Sequence, residues 1–174
     1  MKKILIVIDM QNDFITGSLG SEFAEAIIPD VKAKILEYKS RGDVVIFTRD
    51  THDENYLNTL EGQYLPVVHC IHETNGWKIH SDLADSAEDC LIVDKNYFGY
   101  LGWDIDLQTY GENIDEIELC GVCTDVCVVT NALILRTQFP TVKITVDGKC
   151  CAGVTEESHK AALLTMKMCH INVI

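Results

Sequence analysis

The chain has 174 residues and is 47% hydrophobic, enough for a sizeable core in a single domain spanning 1–174. A formal net charge of −13 argues against nucleic acid and against anionic membrane surfaces as partners. No apolar run reaches membrane-span length and the N-terminus runs directly into a strand, so no signal peptide is expected; eight cysteines in that setting predict free thiols in a reducing cytoplasm.

The first predicted strand is Ile4-Leu5-Ile6-Val7-Ile8, an unbroken apolar run of the kind buried on both faces of a parallel sheet. It ends at Asp9-Met10-Gln11-Asn12-Asp13-Phe14. Asn12 and Asp13 read as turn formers, but Asp9 directly continues a buried run, and a carboxylate there needs a partner or a task. Ser21 to Arg41 reads as one helix with Ile27, Ile28, Val31, Ile35 and Leu36 on its apolar face and Gly42 closing it. Val44 to Phe47 is the second strand, ending at Thr48-Arg49-Asp50-Thr51-His52-Asp53. Asp50 and His52, two residues apart, can be aimed at one ion by an extended segment, although a solvated loop explains the pair about as well. A short helix is expected over Glu54 to Glu61 and an extended run over Leu65 to His72, whose His69 can join Asp50 and His52. One carboxylate and two imidazoles suit zinc, iron or manganese with positions left open.

Cys90 to Val93 is the next strand, followed by Asp94-Lys95. A lysine at the end of a buried strand is either snorkelling to the surface or held near the other strand-end polar groups. Trp103 to Tyr110 reads as helical, and Ile114 to Cys120 as the fourth strand. The stretch Gly121-Val122-Cys123-Thr124-Asp125-Val126-Cys127 then turns into a helix running to about Phe139. Gly121 sits where a sharp turn needs a residue without a Cβ, and Thr124 or Asp125 can cap the helix. Cys127 falls in its first turn, where the positive end of the helix dipole favours thiolate. Any one of eight cysteines is more often an inert core residue, so Cys127 stands out only if a base and an orienting charge lie nearby. Val142 to Val146 is the fifth strand, Thr155 caps a last helix, and Ile171 to Ile174 is a short final strand. Alternating strands and helices predict a mostly parallel sheet covered on both faces, with the polar clusters converging at its carboxyl edge.

These motifs, in this order, resemble the isochorismatase-like cysteine hydrolases and, among them, the nicotinamidases. Asp9-x-Gln11-x-Asp13-Phe14 is similar to the family's opening motif, Asp94-Lys95 to its strand-end lysine, and Gly121-Val122-Cys123-Thr124-Asp125-Val126-Cys127-Val128 to its nucleophile motif. The resemblance implies a three-layer, Rossmann-like α/β fold with a six-stranded sheet. It implies a triad of Asp9, Lys95 and Cys127, with a cis peptide at Val122–Cys123 and an oxyanion held by the N–H groups of Cys123 and Cys127. A divalent metal, zinc before iron or manganese, would be held by Asp50, His52 and His69, with Glu61 as a further candidate ligand. Phe14, Tyr97, Phe98 and Trp103 are candidate pocket walls. The expected partner is a small carboxamide, cleaved through a thioester, and a homo-oligomer is the expected assembly.

Two features depart from the nicotinamidase pattern: Thr51 stands where that branch has Trp, and Asn96-Tyr97-Phe98-Gly99-Tyr100-Leu101 is not its usual text after the lysine. A ureido, carbamoyl or vinyl-ether substrate on the same scaffold is therefore the alternative, although vinyl-ether hydrolysis does not use a nucleophilic cysteine. The rival of another class is a non-catalytic metal-binding or partner protein.

Overall fold

A computed structural model describes residues 2–110 and 114–174. Its centre is the run predicted first. Strand β1 (Lys2–Ile8) carries Ile4 to Ile8, each with no exposed surface. Around it lie β2 (Val44–Asp50), β3 (Leu91–Lys95), β4 (Ile114–Val122), β5 (Lys143–Ala152) and β6 (Asn172–Val173) in the order β3-β2-β1-β4-β5-β6. Every pairing is parallel. The chain therefore starts in the middle of the sheet and winds outward in both directions. That order places the crevice of the sheet between the carboxyl ends of β1 and β4, where Asp9 and the Cys127 turn emerge.

The helices are α1 (Asn12–Ile15), α2 (Glu22–Ala26), α3 (Ile28–Ser40), α4 (Leu60–Tyr64), α5 (Ser81–Ala87), α6 (Trp103–Asp106), α7 (Val129–Gln138) and α8 (Glu156–Met168). α3 packs with α2 and α5, while α7 packs with α6 and α8. No described helix is long and apolar enough to cross a membrane.

Several boundaries differ from the expected ones, each for a physical reason. The single helix over Ser21 to Arg41 is two helices, α2 and α3, with Pro29 in the first turn of α3. Proline has no N–H to donate and its ring collides with the carbonyl four residues back, so the helix breaks ahead of it. Glu54 to Glu61 is a 3-10 turn at Tyr56–Asn58 followed by α4, and Trp103 to Tyr110 is α6 followed by a 3-10 turn. β5 runs past the turn-like Asp147-Gly148, because after a register shift its second half pairs with the end of β4, Gly121 with Cys151 and Val122 with Ala152. Helix α5 lies in a stretch not anticipated from the pattern. Thr155 caps α8 as expected, its hydroxyl accepting from Ser158 N at 3.1 Å while the Ser158 hydroxyl accepts from the Thr155 N–H.

The apolar run of β4 is interrupted by Glu116 and Glu118, both nearly buried. Each is satisfied by its neighbours. Tyr38 donates to Glu118 at 2.5 Å, and Lys34 bridges Glu118 and Asp147. Glu116 accepts from Lys3 and Lys143, each at 2.8 Å, and from Thr145 at 2.6 Å. Burial pushes the Glu116 carboxyl up, but the hydrogen bonds from Lys143, Lys3 and Thr145 outweigh it and hold the group at about 2. A carboxyl depressed in the folded state stabilises the fold above its unfolded pKa, and that contribution fades as pH falls toward the folded value. Replacing Glu116 by Gln is therefore expected to cost on the order of 1–3 kcal/mol at neutral pH. The gap between wild type and variant should close between about pH 4.5 and 2. Urea unfolding at a series of pH values measures this; a gap independent of pH would remove the Glu116 ion pairs from the account.

Candidate active site

Three chain segments meet at the carboxyl edge. β1 delivers Asp9, whose backbone takes a left-handed φ of 48° just as the strand ends. β3 delivers Lys95, and the turn after β4 delivers Cys127. Gly121 is required at that turn. Its φ is +114°, and a Cβ would lie 2.1 Å from the Ile8 carbonyl oxygen on the neighbouring strand. The Val122–Cys123 peptide is cis, as the resemblance implied. The helix that follows opens with a π turn, Thr124–Val128, before α7.

The expected cap is absent from that turn: Cys123 holds the N-cap position and no side chain caps it. Thr124 and Asp125 are engaged over long range instead. The Thr124 hydroxyl lies 2.8 Å from His159 Nδ1, and the Asp125 carboxylate accepts from Val154 N at 3.1 Å. One bond ties the turn to the first turns of α8 and the other to the β5–α8 connection, which the sequence pattern could not show.

Lys95 is 1% exposed, and its ammonium is the hub of the cluster. Nζ lies 2.7 Å from Asp9 Oδ2, 3.5 Å from Asp50 Oδ1, 3.2 Å from the Tyr97 carbonyl and 3.6 Å from Cys127 Sγ. Asp9 is completely buried; Thr48 donates to its Oδ1 at 2.6 Å, and its backbone N–H donates back to Thr48 Oγ1 at 3.1 Å. Oδ2 pairs with the ammonium off the line of a hydrogen bond, which leaves a lone pair available. Burial pushes the Asp9 carboxyl up while Lys95 pulls it down. Burial would lower the Lys95 ammonium, but Asp9 and then Cys127 and Asp50 raise it well above the usual lysine range. The ammonium is therefore charged.

The thiol behaves differently from the expectation drawn from the helix terminus. Burial raises Cys127 well above the ordinary cysteine value, with Lys95 opposing and Asp9 reinforcing the rise. Desolvation of a thiolate in a closed site outweighs one turn of helix dipole. Acidity does not single Cys127 out, since burial also pushes Cys123 up to about 12. Geometry does: Cys127 Sγ is within 3.6 Å of the ammonium.

The second cluster adjoins the first through Asp50. Ligand atoms of Asp50, His52, Glu61 and His69 all lie within 4.8 Å of one another. Asp50 Oδ2 is 2.8 Å from His52 Nε2 and 3.5 Å from His69 Nε2, while Glu61 Oε1 is 3.7 and 3.9 Å from the same two nitrogens. Tetrahedral zinc with bonds of about 2.0–2.2 Å requires donors separated by distances of this kind. His69 Nδ1 faces the Val67 carbonyl at 2.8 Å, so a proton on Nδ1 leaves Nε2 free as a ligand. Tyr56, 1% exposed, packs its ring 4.6 Å from His52 and 4.9 Å from His69, and Gln11 clamps the Asp50 backbone, accepting from its N–H at 2.7 Å and donating to its carbonyl at 2.9 Å. The donor set and its support fit a divalent metal. Burial pushes Asp50 up, but hydrogen bonds from His52 and His69 prevail and hold it below the usual carboxylate range, so it is an anion ready to ligate.

A cavity of about 380 Å³ opens over these groups, lined by Asp50, Glu61, His69, Cys123 and Cys127 and walled by apolar side chains that include Phe14 and Phe98. Tyr97, expected in this wall, is 77% exposed and lines a neighbouring cavity. Its carbonyl, not its ring, reaches the cluster. Trp103 is not a pocket wall either; it is fully buried and donates to Asn131.

Asn131, Thr48 and Tyr56 were not singled out from the sequence. Asn131 is the most informative. It is fully buried one turn after Cys127 and makes four hydrogen bonds: Nδ2 to the carbonyls of Cys127 (2.8 Å) and Phe98 (2.9 Å), and Oδ1 from the Tyr100 N–H and Trp103 Nε1–H (both 3.0 Å). A polar residue at i+4 from Cys127 and i−4 from Leu135, on the buried face of a helix, was the available signal.

The fold and its edge clusters define a doubly wound α/β protein with a thiol, a carboxyl and an ammonium grouped beside four residues that could hold a metal. The sequence matches the isochorismatase domain over residues 3–174, and the chain belongs to the isochorismatase family. It is 30% identical to an uncharacterized isochorismatase family protein, PncA, of Bacillus subtilis, over 94% of this chain and 93% of that one. It is 27% identical to the nicotinamidase/pyrazinamidase of Mycobacterium tuberculosis, over 99% and 98% of the two chains. Among solved structures, the pyrazinamidase of Pyrococcus horikoshii in complex with zinc superposes with a TM-score of 0.86 at 26% identity, covering 100% of this chain and 99% of that one.

Asn131→Ala would strand two carbonyls and two N–H groups in a dry interior, a loss expected to reach about 2–4 kcal/mol. Asn131→Asp sets a carboxylate oxygen against the Cys127 and Phe98 carbonyls in the same dry interior, so it should be destabilised at least as much as the Ala variant. Denaturant unfolding of the three proteins checks the order; equal stability would mean the network is not formed.

Proposed function

We propose that the protein is a cysteine-dependent amidohydrolase of nicotinamidase type, converting nicotinamide or a related carboxamide to the carboxylate and ammonia. The observation that carries this reading is the ammonium of Lys95 between the Asp9 carboxylate and the Cys127 sulfur, beneath a cavity. The similarity to the Mycobacterium tuberculosis and Pyrococcus horikoshii amidases supports it.

Asp9 takes the proton of Cys127 as the sulfur attacks the carboxamide carbon. Burial raises both the Asp9 carboxyl and the Cys127 thiol, and the Lys95 ammonium opposes the rise at each. The oxygen of the tetrahedral intermediate faces the N–H groups of Cys123 and Cys127, donors worth roughly 3–4 kcal/mol each when preorganised. Asp9 passes its proton to the amide nitrogen, ammonia leaves, and an acyl thioester remains. Water then adds to the thioester while Asp9 accepts its proton; the carbon–sulfur bond breaks and the proton returns to sulfur. One amide and one water become one acid and one ammonia. Lys95 keeps its charge throughout and holds Asp9 in place.

Asp50, His52, His69 and Glu61 are the residues that would hold a divalent metal, zinc in the first instance. When bound, such an ion supplies a Lewis acid in the cavity wall able to anchor a heteroatom of the substrate.

Ammonia release across a panel of carboxamides tests the reaction. Wild type should release ammonia from at least one member; Cys127→Ala should fall at least about a thousandfold while staying folded, and Cys123→Ala should keep most of the rate because only its backbone is used. Turnover by Cys127→Ala at the wild-type rate would exclude the covalent route. The metal cluster is tested separately by elemental analysis. About one transition metal per chain is expected after zinc addition, lost in His69→Ala; a wild-type chain that retains no metal overturns the cluster assignment.

A further inference from the structure

The reaction cavity has a neighbour. A second cavity of about 700 Å³ lies beyond it, and the two share the wall formed by Glu61, Leu65, Phe98 and Val126. The metal cluster sits in that partition: Asp50 and His69 face the first chamber, His52 faces the second, and Glu61 faces both. Drug-sized ligands fill pockets of about 300–1,000 Å³. A single-ring carboxamide is smaller than that and leaves the second chamber empty.

The second chamber is mainly apolar. Leu60, Tyr64 and Tyr97 line it while 70%, 85% and 77% exposed, an unusual amount of large apolar surface around one opening. Among the described residues no Lys or Arg lines the second chamber, whereas Asp53 and Glu61 do. A carboxylate or phosphate reaching into the second chamber would meet those two acids and no lysine or arginine. Phe98 and Tyr97 belong to the segment after Lys95 that departs from the nicotinamidase pattern, and Thr51, the small residue at the other departure, lines the same chamber. Both sequence departures therefore fall on one cavity.

We propose that the second chamber is a substrate subsite: the carboxamide taken by this chain is neutral and carries an apolar substituent, a second ring or an alkyl chain, that passes the partition and packs against Leu60, Tyr64 and Tyr97. This rests on the amidohydrolase reading above and specifies its substrate class. The amide-bearing ring occupies the chamber over Cys127, next to the cluster, and the substituent removes exposed apolar surface from water. The affinity gained should scale with the area covered.

The test separates binding from turnover. Cys127→Ala is titrated calorimetrically with nicotinamide and with phenyl-substituted nicotinamides covering each ring position. At least one phenyl derivative should bind on the order of tenfold tighter than nicotinamide or better. A carboxylate in place of the phenyl group should give no such gain. Adding Leu60→Ser and Tyr64→Ser, both at exposed positions, should bring the best derivative down to the affinity of nicotinamide. The proposal is overturned if no derivative binds more tightly, if the gain survives the double substitution, or if sedimentation shows two copies associating through this face and separating when Leu60 and Tyr64 are replaced. Ammonia release from nicotinamide by wild type is read independently. If that proceeds while no derivative gains affinity, only the subsite falls; if no carboxamide is hydrolysed, the amidohydrolase reading falls.

Discussion

A buried ammonium is the constraint on which the rest of the site depends. Lys95 is almost wholly withdrawn from water, and an unpaired charge in that position would be lost to deprotonation. Asp9 at 2.7 Å and Asp50 at 3.5 Å keep it charged, and in return its charge opposes the rise that burial imposes on both carboxyls. The three groups come from the ends of three strands, β1, β2 and β3, adjacent in the sheet. Register is what makes them meet: Asp50 on β2 is the direct partner of Lys95 on β3, and Ile8, just before Asp9, pairs with Gly121 on β4. A slip of one residue in any of these pairings would turn a charged side chain toward the opposite face of the sheet.

The same constraint joins the two halves of the site. Asp50 faces Lys95 with one oxygen and the two imidazoles with the other, so it belongs to both clusters. Any change in the charge of the metal cluster is felt at the ammonium, and through it at Asp9 and the thiol. Supporting groups are placed accordingly. Gln11 grips the Asp50 backbone, Thr48 grips Asp9, Tyr56 packs on the imidazoles, and Asn131 ties the Cys127 carbonyl to the Phe98 loop. All four are almost fully buried, and each supports a residue of the site from behind.

Chemical function at this edge is divided by distance from the sheet. Asp9, Lys95 and Cys127 sit on strand ends and the first turn after a strand. Much of the walls of the two chambers comes from the 50–65 and 96–98 segments, beyond the ends of β2 and β3.

Much of this was legible in the sequence. Unbroken apolar runs identified the sheet, because a strand buried on both faces tolerates nothing else, and a charged residue at the end of such a run marked Asp9 and Lys95 as unusual. The order of the motifs pointed to the family, and the spacing of Asp50, His52 and His69 to a metal. Tertiary structure decided what depended on partners distant in the chain. Thr124 and Asp125 look like helix caps, yet bond to His159 and Val154 instead. Asp147-Gly148 looks like a turn, yet stays in β5 because β4 pairs beyond it. Cys127 looks like a thiolate at a helix start, yet burial holds it as a thiol. Tyr97 and Phe98 are consecutive, yet one ring lines the neighbouring chamber alone and the other stands between the two. Local pattern determines which residues can form an element or carry a charge; burial, register and long-range hydrogen bonds determine what each does there, and those exist only once the chain has folded.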